Sequence, residues 1–283
     1  MEKKHMHPGI YDLKSQLDSG RLSRREFIRY AALLGVSVTA ATQMAGLTWP
    51  GKAFAADVKR GGTLKVSAPV QKVTHPAQFS WIVPSNQMRQ VAEYLTFTDA
   101  ENITHPYLLK NWEASDDLKT WTLNLRQGIM FNNGDEFTAD DVVFTMNQWL
   151  DEDVGSSMLG MMKSYLDQTG VEKVDKYQVK LHLKRPEIGI PEHMFHYPAP
   201  VLNSRTFEGD FIKKPHGTGP FTLEMFREGE RCVLKRRDDY WKKGVDGKSQ
   251  PYLDSVQFID MGAELAAQIA ALQSGETDTM DMS

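Results

Sequence analysis

The chain has 283 residues, of which 41% are hydrophobic and 25% charged, so it falls outside the disordered, collagenous and low-complexity classes. The first 55 residues carry eight Lys/Arg against four Asp/Glu, leaving 25 basic against 33 acidic residues in the rest, and a body at −8 argues against nucleic acid as a partner. A single cysteine, Cys232, excludes an internal disulfide and a zinc site built on thiolates.

In chain order, Ser23-Arg24-Arg25-Glu26-Phe27-Ile28-Arg29 matches the twin-arginine export pattern Ser-Arg-Arg-x-Phe-Leu-Lys, with Ile and Arg in its last two places. A mildly apolar run from Tyr30 to Trp49 follows, and Ala53-Phe54-Ala55 supplies a small-x-small cleavage pattern. Residues 1–55 are therefore read as a twin-arginine signal peptide cleaved after Ala55, which would place the mature chain in the periplasm; a membrane-anchoring amphipathic helix is the alternative. No cysteine stands near the cleavage site to carry a lipid.

The mature chain opens with a strand at 63–67 and an aromatic, proline-rich loop, His75 to Pro84. Ser85 or Asn86 is expected to cap a helix over 87–95, on which Met88, Val91, Ala92 and Leu95 share a face. A short strand at 96–98 leads to a hairpin turning at Asp116-Asp117, whose return strand alternates Trp121, Leu123 and Leu125 with polar residues. Gly128 and Asn132-Asn133-Gly134 end the ladder. Thr138, with Asp141 three residues on, predicts a capped helix carrying the stripe Val142, Val143, Met146, Trp149 and Leu150.

Residues 151–170 give no clear signal. Two further hairpins are predicted, 171–174 with 178–183 and 221–226 with 231–235, the second turning at Glu228-Gly229. A strand over 255–261 and an amphipathic helix over 264–274 follow, the helix closed by Gly275. Asp278 to Met282 would begin one more strand, which is expected to stop before it can pair.

Several of these stretches together resemble the family 5 extracytoplasmic solute-binding proteins, the peptide and nickel receptors of ABC importers. They are the Trp112-x-x-Ser-Asp-Asp-x-x-Thr-Trp121 hairpin, the Arg126-x-Gly-Ile-x-Phe-x-x-Gly134 turn and the Phe137-Thr-Ala-Asp-Asp-Val-Val-Phe144 helix start. Arg60-Gly61-Gly62-Thr63-Leu64, Gly217-Thr218-Gly219-Pro220-Phe221 with Asp239-Tyr240-Trp241, and Ala271-Leu-Gln-Ser-Gly-Glu276 fit the same family in the same order. The resemblance implies an α/β fold of the periplasmic binding protein type II kind, with a lobe I core at 56–95 and 206–283 and an inserted α+β subdomain at 96–205. It also implies a second lobe that this chain lacks, hence weak solute binding by the chain alone. The function implied is capture of a peptide or similar small solute for delivery to ABC permease and ATPase subunits, after export by the twin-arginine translocase, with no catalysis and no cofactor. A secreted hydrolase and a sensory ligand-binding domain are the alternatives.

Little in the chain asks for other chemistry. His193 and His196, with Glu192 beside them and His182 upstream, are the nearest approach to a metal set, but Pro191, Pro198 and Pro200 leave little helix to build it on, so no metal site is assigned. Gly217-Thr218-Gly219 lacks the Lys-Ser/Thr pair of a phosphate loop and reads as a backbone turn. For ligand contact the candidates are Phe79, Trp81 and Tyr107 as stacking surfaces beside proline-rich turns, with ordinary core packing as the alternative. Ser80, Ser85 and Asn86 join them as groups that could meet a peptide carboxylate at a helix start.

Overall fold

The computed structural model describes residues 6–47 and 58–281. The expected cleavage point after Ala55 lies outside the described residues.

Among the described residues two larger sheets carry the body, beside a two-stranded antiparallel one formed by β2 (Thr96–Thr98) and β3 (Thr104–Pro106). The first has the order β11-β1-β10-β9-β8, from β1 (Thr63–Ser67), β8 (Phe221–Arg227), β9 (Arg231–Arg236), β10 (Ser255–Ile259) and β11 (Thr279–Met280). β1 runs parallel to β10 on one side, Thr63 opposite Ser255, and to β11 on the other, Val66 opposite Thr279. The last strand therefore does pair, contrary to expectation: β1 offers it a free edge, and Asp278 Oδ2 accepts the Lys65 N–H at 2.8 Å. Cys232, Leu234, Val256 and Phe258 from this sheet pack with Phe79, Met88, Val91 and Phe211 into one core.

The second sheet, β4-β5-β7-β6, is antiparallel throughout and comes from the middle of the chain: β4 (Leu109–Ala114), β5 (Thr120–Leu125), β6 (Val171–Asp175) and β7 (Gln178–His182). Its alternating apolar face, Trp121, Leu123, Leu125, Val179 and Leu181, is buried against α5 (Ala139–Leu150). Thr138 donates its backbone N–H to Asp141 Oδ2 at 2.9 Å at the start of that helix. Met146, Val142, Trp149 and Leu150 point into the core as the spacing predicts, but Val143 is only half-buried. The helix is turned so that its polar Asp141 and Thr145 are buried instead, because the segment after residue 201 uses them as acceptors: Leu202 N–H donates to Thr145 Oγ1 and Ser204 N–H to Asp141 Oδ1, both at 2.9 Å. The 151–170 stretch contributes α6 (Ser157–Met162), and Met158, Met162, Tyr165 and Leu166 fill the same core.

Two further readings change. The helix expected over 87–95 is α4, Ile82–Met88, followed by hydrogen-bonded turns. Pro84 falls in the first turn, where its missing N–H removes no helical bond, so the proline-rich loop continues into the helix. α8 (Leu265–Ser274) ends at Gly275 in the left-handed region as expected, yet only Ala271 is buried and Leu265, Ile269 and Leu272 face outward.

Residues 6–47 hold three helices, α1 (Gly9–Asp18), α2 (Arg24–Leu33) and α3 (Val38–Met44). Ile10, Phe27, Ile28, Ala31 and Ala41 form a small core of their own, closed by Ile103, Leu118 and Ile188 of the body. Among the described residues no helix is long and apolar enough to cross a membrane.

Candidate functional site

In an open sheet with parallel strands, the crevice beyond the strands' carboxyl ends is where loops converge and ligands settle. Here that edge lies beyond Ser67, Ile259 and Met280. The loop leaving β1 is anchored there by Asp260, whose Oδ2 accepts the Val70 N–H at 2.9 Å, and by Gln87, whose Nε2 donates to Pro69 O at 2.7 Å. Its far end is tied to the other core, where Ser156 Oγ donates to Ala77 O at 2.7 Å and His75 Nε2 bonds Gln148 Oε1 at 3.0 Å. His75 is buried edge-on against Phe207, and desolvation holds its pKa below the ordinary histidine value, so it is neutral near pH 7.

Between these anchors the loop encloses a concavity of about 180 Å³ lined by Gln71, Lys72, His75, Gln78, Ser80 and Trp81, among others. Trp81 is 70% exposed, an unusual state for an indole of this size. An exposed aromatic face beside amide, hydroxyl and ammonium groups suits binding: it offers stacking area and a few hydrogen bonds. Both ring nitrogens of His75 are taken, by Gln148 and by the Ala77 N–H, rather than by a hydroxyl of the lining, and among the described residues no group of His, Cys, Asp or Glu converges to hold a metal ion. His182 instead bonds Glu172 Oε2 at 2.6 Å, and His193 bonds the Tyr165 hydroxyl at 2.7 Å.

The structure thus brings Phe79, Ser80 and Trp81 together, although Phe79 lies on the inner side and mostly fills the first core. Ser85 and Asn86 are not helix caps. Ser85 is buried inside α4 and bonded to the Tyr94 hydroxyl at 2.8 Å. Asn86 Nδ2 donates to Asp281 Oδ2 at 3.1 Å, which places it at the same sheet edge, just past β11.

Tyr107 sits elsewhere, in a cluster that sequence reading missed. Glu93 is buried at its centre, accepting from Tyr240 Oη at 2.5 Å and from Trp241 Nε1 at 3.0 Å. Tyr107 bonds Tyr240 through the hydroxyls at 3.2 Å and lies 5.8 Å from the Trp241 ring. Burial raises the Glu93 carboxyl above its ordinary value, partly offset by those two donors, and it raises both tyrosines. An acidic residue inside the apolar run Val91-Ala92-Glu93-Tyr94-Leu95 was the available signal. The Gly-Thr-Gly-Pro-Phe loop belongs to this join as well. Arg237, nearly buried, donates to Gly217 O and Gly219 O at 3.2 Å each, and a Cβ on Gly217 would lie 2.0 Å from Val91 O. These shared motifs therefore clamp one core against the other rather than line a pocket.

Residues 104–283 match the family model described as bacterial extracellular solute-binding proteins, family 5 Middle. Among curated proteins, a peptide transport periplasmic protein, SapA, of Salmonella typhimurium is 27% identical over 286 residues, covering 92% of this chain and 49% of that one. Di/tripeptide-binding protein 1 of Pseudomonas aeruginosa is 31% identical over 195 residues, covering 60% of this chain and 35% of that one. The chain thus spans half or less of the length of these relatives. Among solved structures, Haemophilus influenzae OppA in complex with RPPGFSPFR superposes with a TM-score of 0.68 at 21% identity, covering 78% of this chain and 46% of that one, a likeness of fold.

Proposed function

This chain belongs to the bacterial extracellular solute-binding proteins of family 5, and from that membership we propose that it is the substrate-binding component of an ABC importer, taking up a peptide or similar small solute. The observation that carries the reading is the family match over residues 104–283, joined to relatives named for peptide transport and peptide binding. The role is binding and delivery to permease and ATPase subunits, not catalysis; a solute closed between two lobes changes what the transporter meets. In this reading residues 56–95 and 206–283 are the core of one lobe and 96–205 its inserted subdomain. Ser80 and Trp81 stand on the ligand side, with Asn86 at the same sheet edge; Phe79 packs behind them in the first core, while Ser85 is buried against Tyr94 and Tyr107 belongs to the Glu93 cluster. Residues 1–55 are a twin-arginine leader that delivers the protein to the periplasm.

A thermal-shift screen of the protein produced from its whole reading frame, against peptides of two to nine residues, tests this. A ligand at a hundred times its Kd adds about 2.7 kcal/mol of stability, and the shift should shrink on Trp81→Ala while the ligand-free Tm stays put. No shift with any peptide pool, or a shift indifferent to Trp81→Ala, overturns the ligand or the site respectively. Replacing Arg24 and Arg25 by lysine should leave precursor in the cytoplasm; unaltered export refutes the twin-arginine reading.

A further inference from the structure

The helices that carry the export pattern are docked on the body. The indole of Trp112, on β4, donates from Nε1 to Leu33 O at the end of α2 at 2.9 Å, in a buried bond. Gly35 follows in the left-handed region, where a Cβ would lie 2.7 Å from Trp112 O, so chain and body are in backbone contact there. Arg29 donates from Nε and Nη2 to Glu192 Oε1 at 3.1 and 2.8 Å, and Arg25 Nε donates to Glu101 O at 3.1 Å. Three body side chains, Ile103, Leu118 and Ile188, complete the apolar contact. Helices of 10, 10 and 7 residues are marginal alone, and about 40 residues are too few to bury a sufficient core without help. The body supplies that help.

Docking divides the export pattern in two. Arg24 and Arg25 face solvent in the first turn of α2, behind the capping box formed by Ser23 and Glu26. Phe27 and Ile28 of the same pattern are buried, and so are Ala31 to Leu34 of the apolar run that follows, with Tyr30 half-buried between them. A translocase that reads the arginines together with an extended apolar run cannot reach the second half while α2 is docked.

We propose that the surface formed by Trp112, Ile103, Leu118, Ile188 and Glu192 is a docking site for the chain's own N-terminal helices, and that this docking is autoinhibitory for export, so α2 must leave the folded body before transport. The export half rests on the twin-arginine reading above; the docking half does not.

Two measurements separate them. The first is hydrogen exchange on the full chain purified from cells lacking the translocase, in which α2 amides should be protected within about tenfold of those in β4. Glu192→Arg should lower α2 protection about two- to fivefold without changing β7, and Arg29→Glu on top should restore it. Trp112→Phe, which removes one buried donor, should act in the same direction. Exchange of α2 at unfolded-chain rates in the unaltered protein overturns docking, as does charge reversal without effect. The second is pulse-labelled export, where Glu192→Arg should speed leader removal about twofold or more and the swapped pair should return it to the original rate. Equal or slower export from a variant with proven loss of α2 protection overturns autoinhibition. Normal export of the Arg24→Lys, Arg25→Lys pair would instead refute the twin-arginine reading and the export half with it, while the exchange data still decide docking.

Discussion

Met146 and Val143 lie on the same helix, three residues apart, and the structure assigns them different environments: Met146 is fully buried among Trp121, Trp149 and Leu181, whereas Val143 is half-buried at the edge of the same cluster. Truncating Met146 to alanine removes three heavy atoms from a closed core. At about 0.8 kcal/mol per buried methylene-sized group the transfer cost is about 2.4 kcal/mol, and the cavity left behind brings the total to about 3 to 4 kcal/mol. Val143→Ala removes two methyls that are only partly withdrawn from water, so about 1 kcal/mol is expected. For a chain of this size 3 kcal/mol corresponds to a fall in Tm of about 6–12 °C. Urea unfolding followed by tryptophan fluorescence is the suitable assay, since Trp121 and Trp149 report on the cluster being emptied. A loss below about 0.5 kcal/mol for Met146→Ala, or a larger loss for Val143→Ala than for Met146→Ala, would mean that the helix is rotated and that Asp141 and Thr145 are not the buried acceptors described above.

Glu93 gives a pH test. Its folded carboxyl is raised by burial above the ordinary 4.5, so the folded state holds a proton that the unfolded chain releases first, and stability should decline as pH rises from about 4.5 through the folded value. Glu93→Gln should flatten that decline, gaining on the parent protein as pH increases; parallel curves of stability against pH would refute the assignment. His75 acts with the opposite sense: its pKa is lowered, so the folded protein should lose stability as pH falls below about 6.5, and a His75→Gln variant should lose less over that interval. Gly217→Ala places a methyl 2.0 Å from a backbone oxygen that cannot step aside, and should cost about 2 kcal/mol or more in chemical denaturation; a neutral result would show that the loop does not seat on residues 91–92.

Much of the secondary structure was legible because its signals are local. The period-two runs at Trp121–Leu125 and Gln178–His182, the Asp116-Asp117 turn, the Thr138–Asp141 helix start and the Gly275 stop each depend on side chains a few residues apart, so strand, turn, cap and end were readable from order alone. The family motifs were legible for the same reason, being short runs that keep their spacing. What tertiary structure decided is whatever depends on partners distant in sequence. The start of α4 shifted because a proline allowed in a first turn cannot be distinguished from one in a loop until the loop is anchored. Val143 moved to the rim because residues 202–204 needed Asp141 and Thr145 as acceptors, and β11 paired because β1 left an edge open more than 200 residues upstream. The same holds for the candidate site: the proline-rich surroundings point to Trp81 and an expected helix start to Ser80, but their gathering into one concavity depends on Asp260, Ser156 and Gln148, each far along the chain. For Glu93 the sequence offers only an acidic residue in an apolar run; what makes its burial tolerable is the convergence of donors, and Tyr240 and Trp241 reach it across nearly 150 residues.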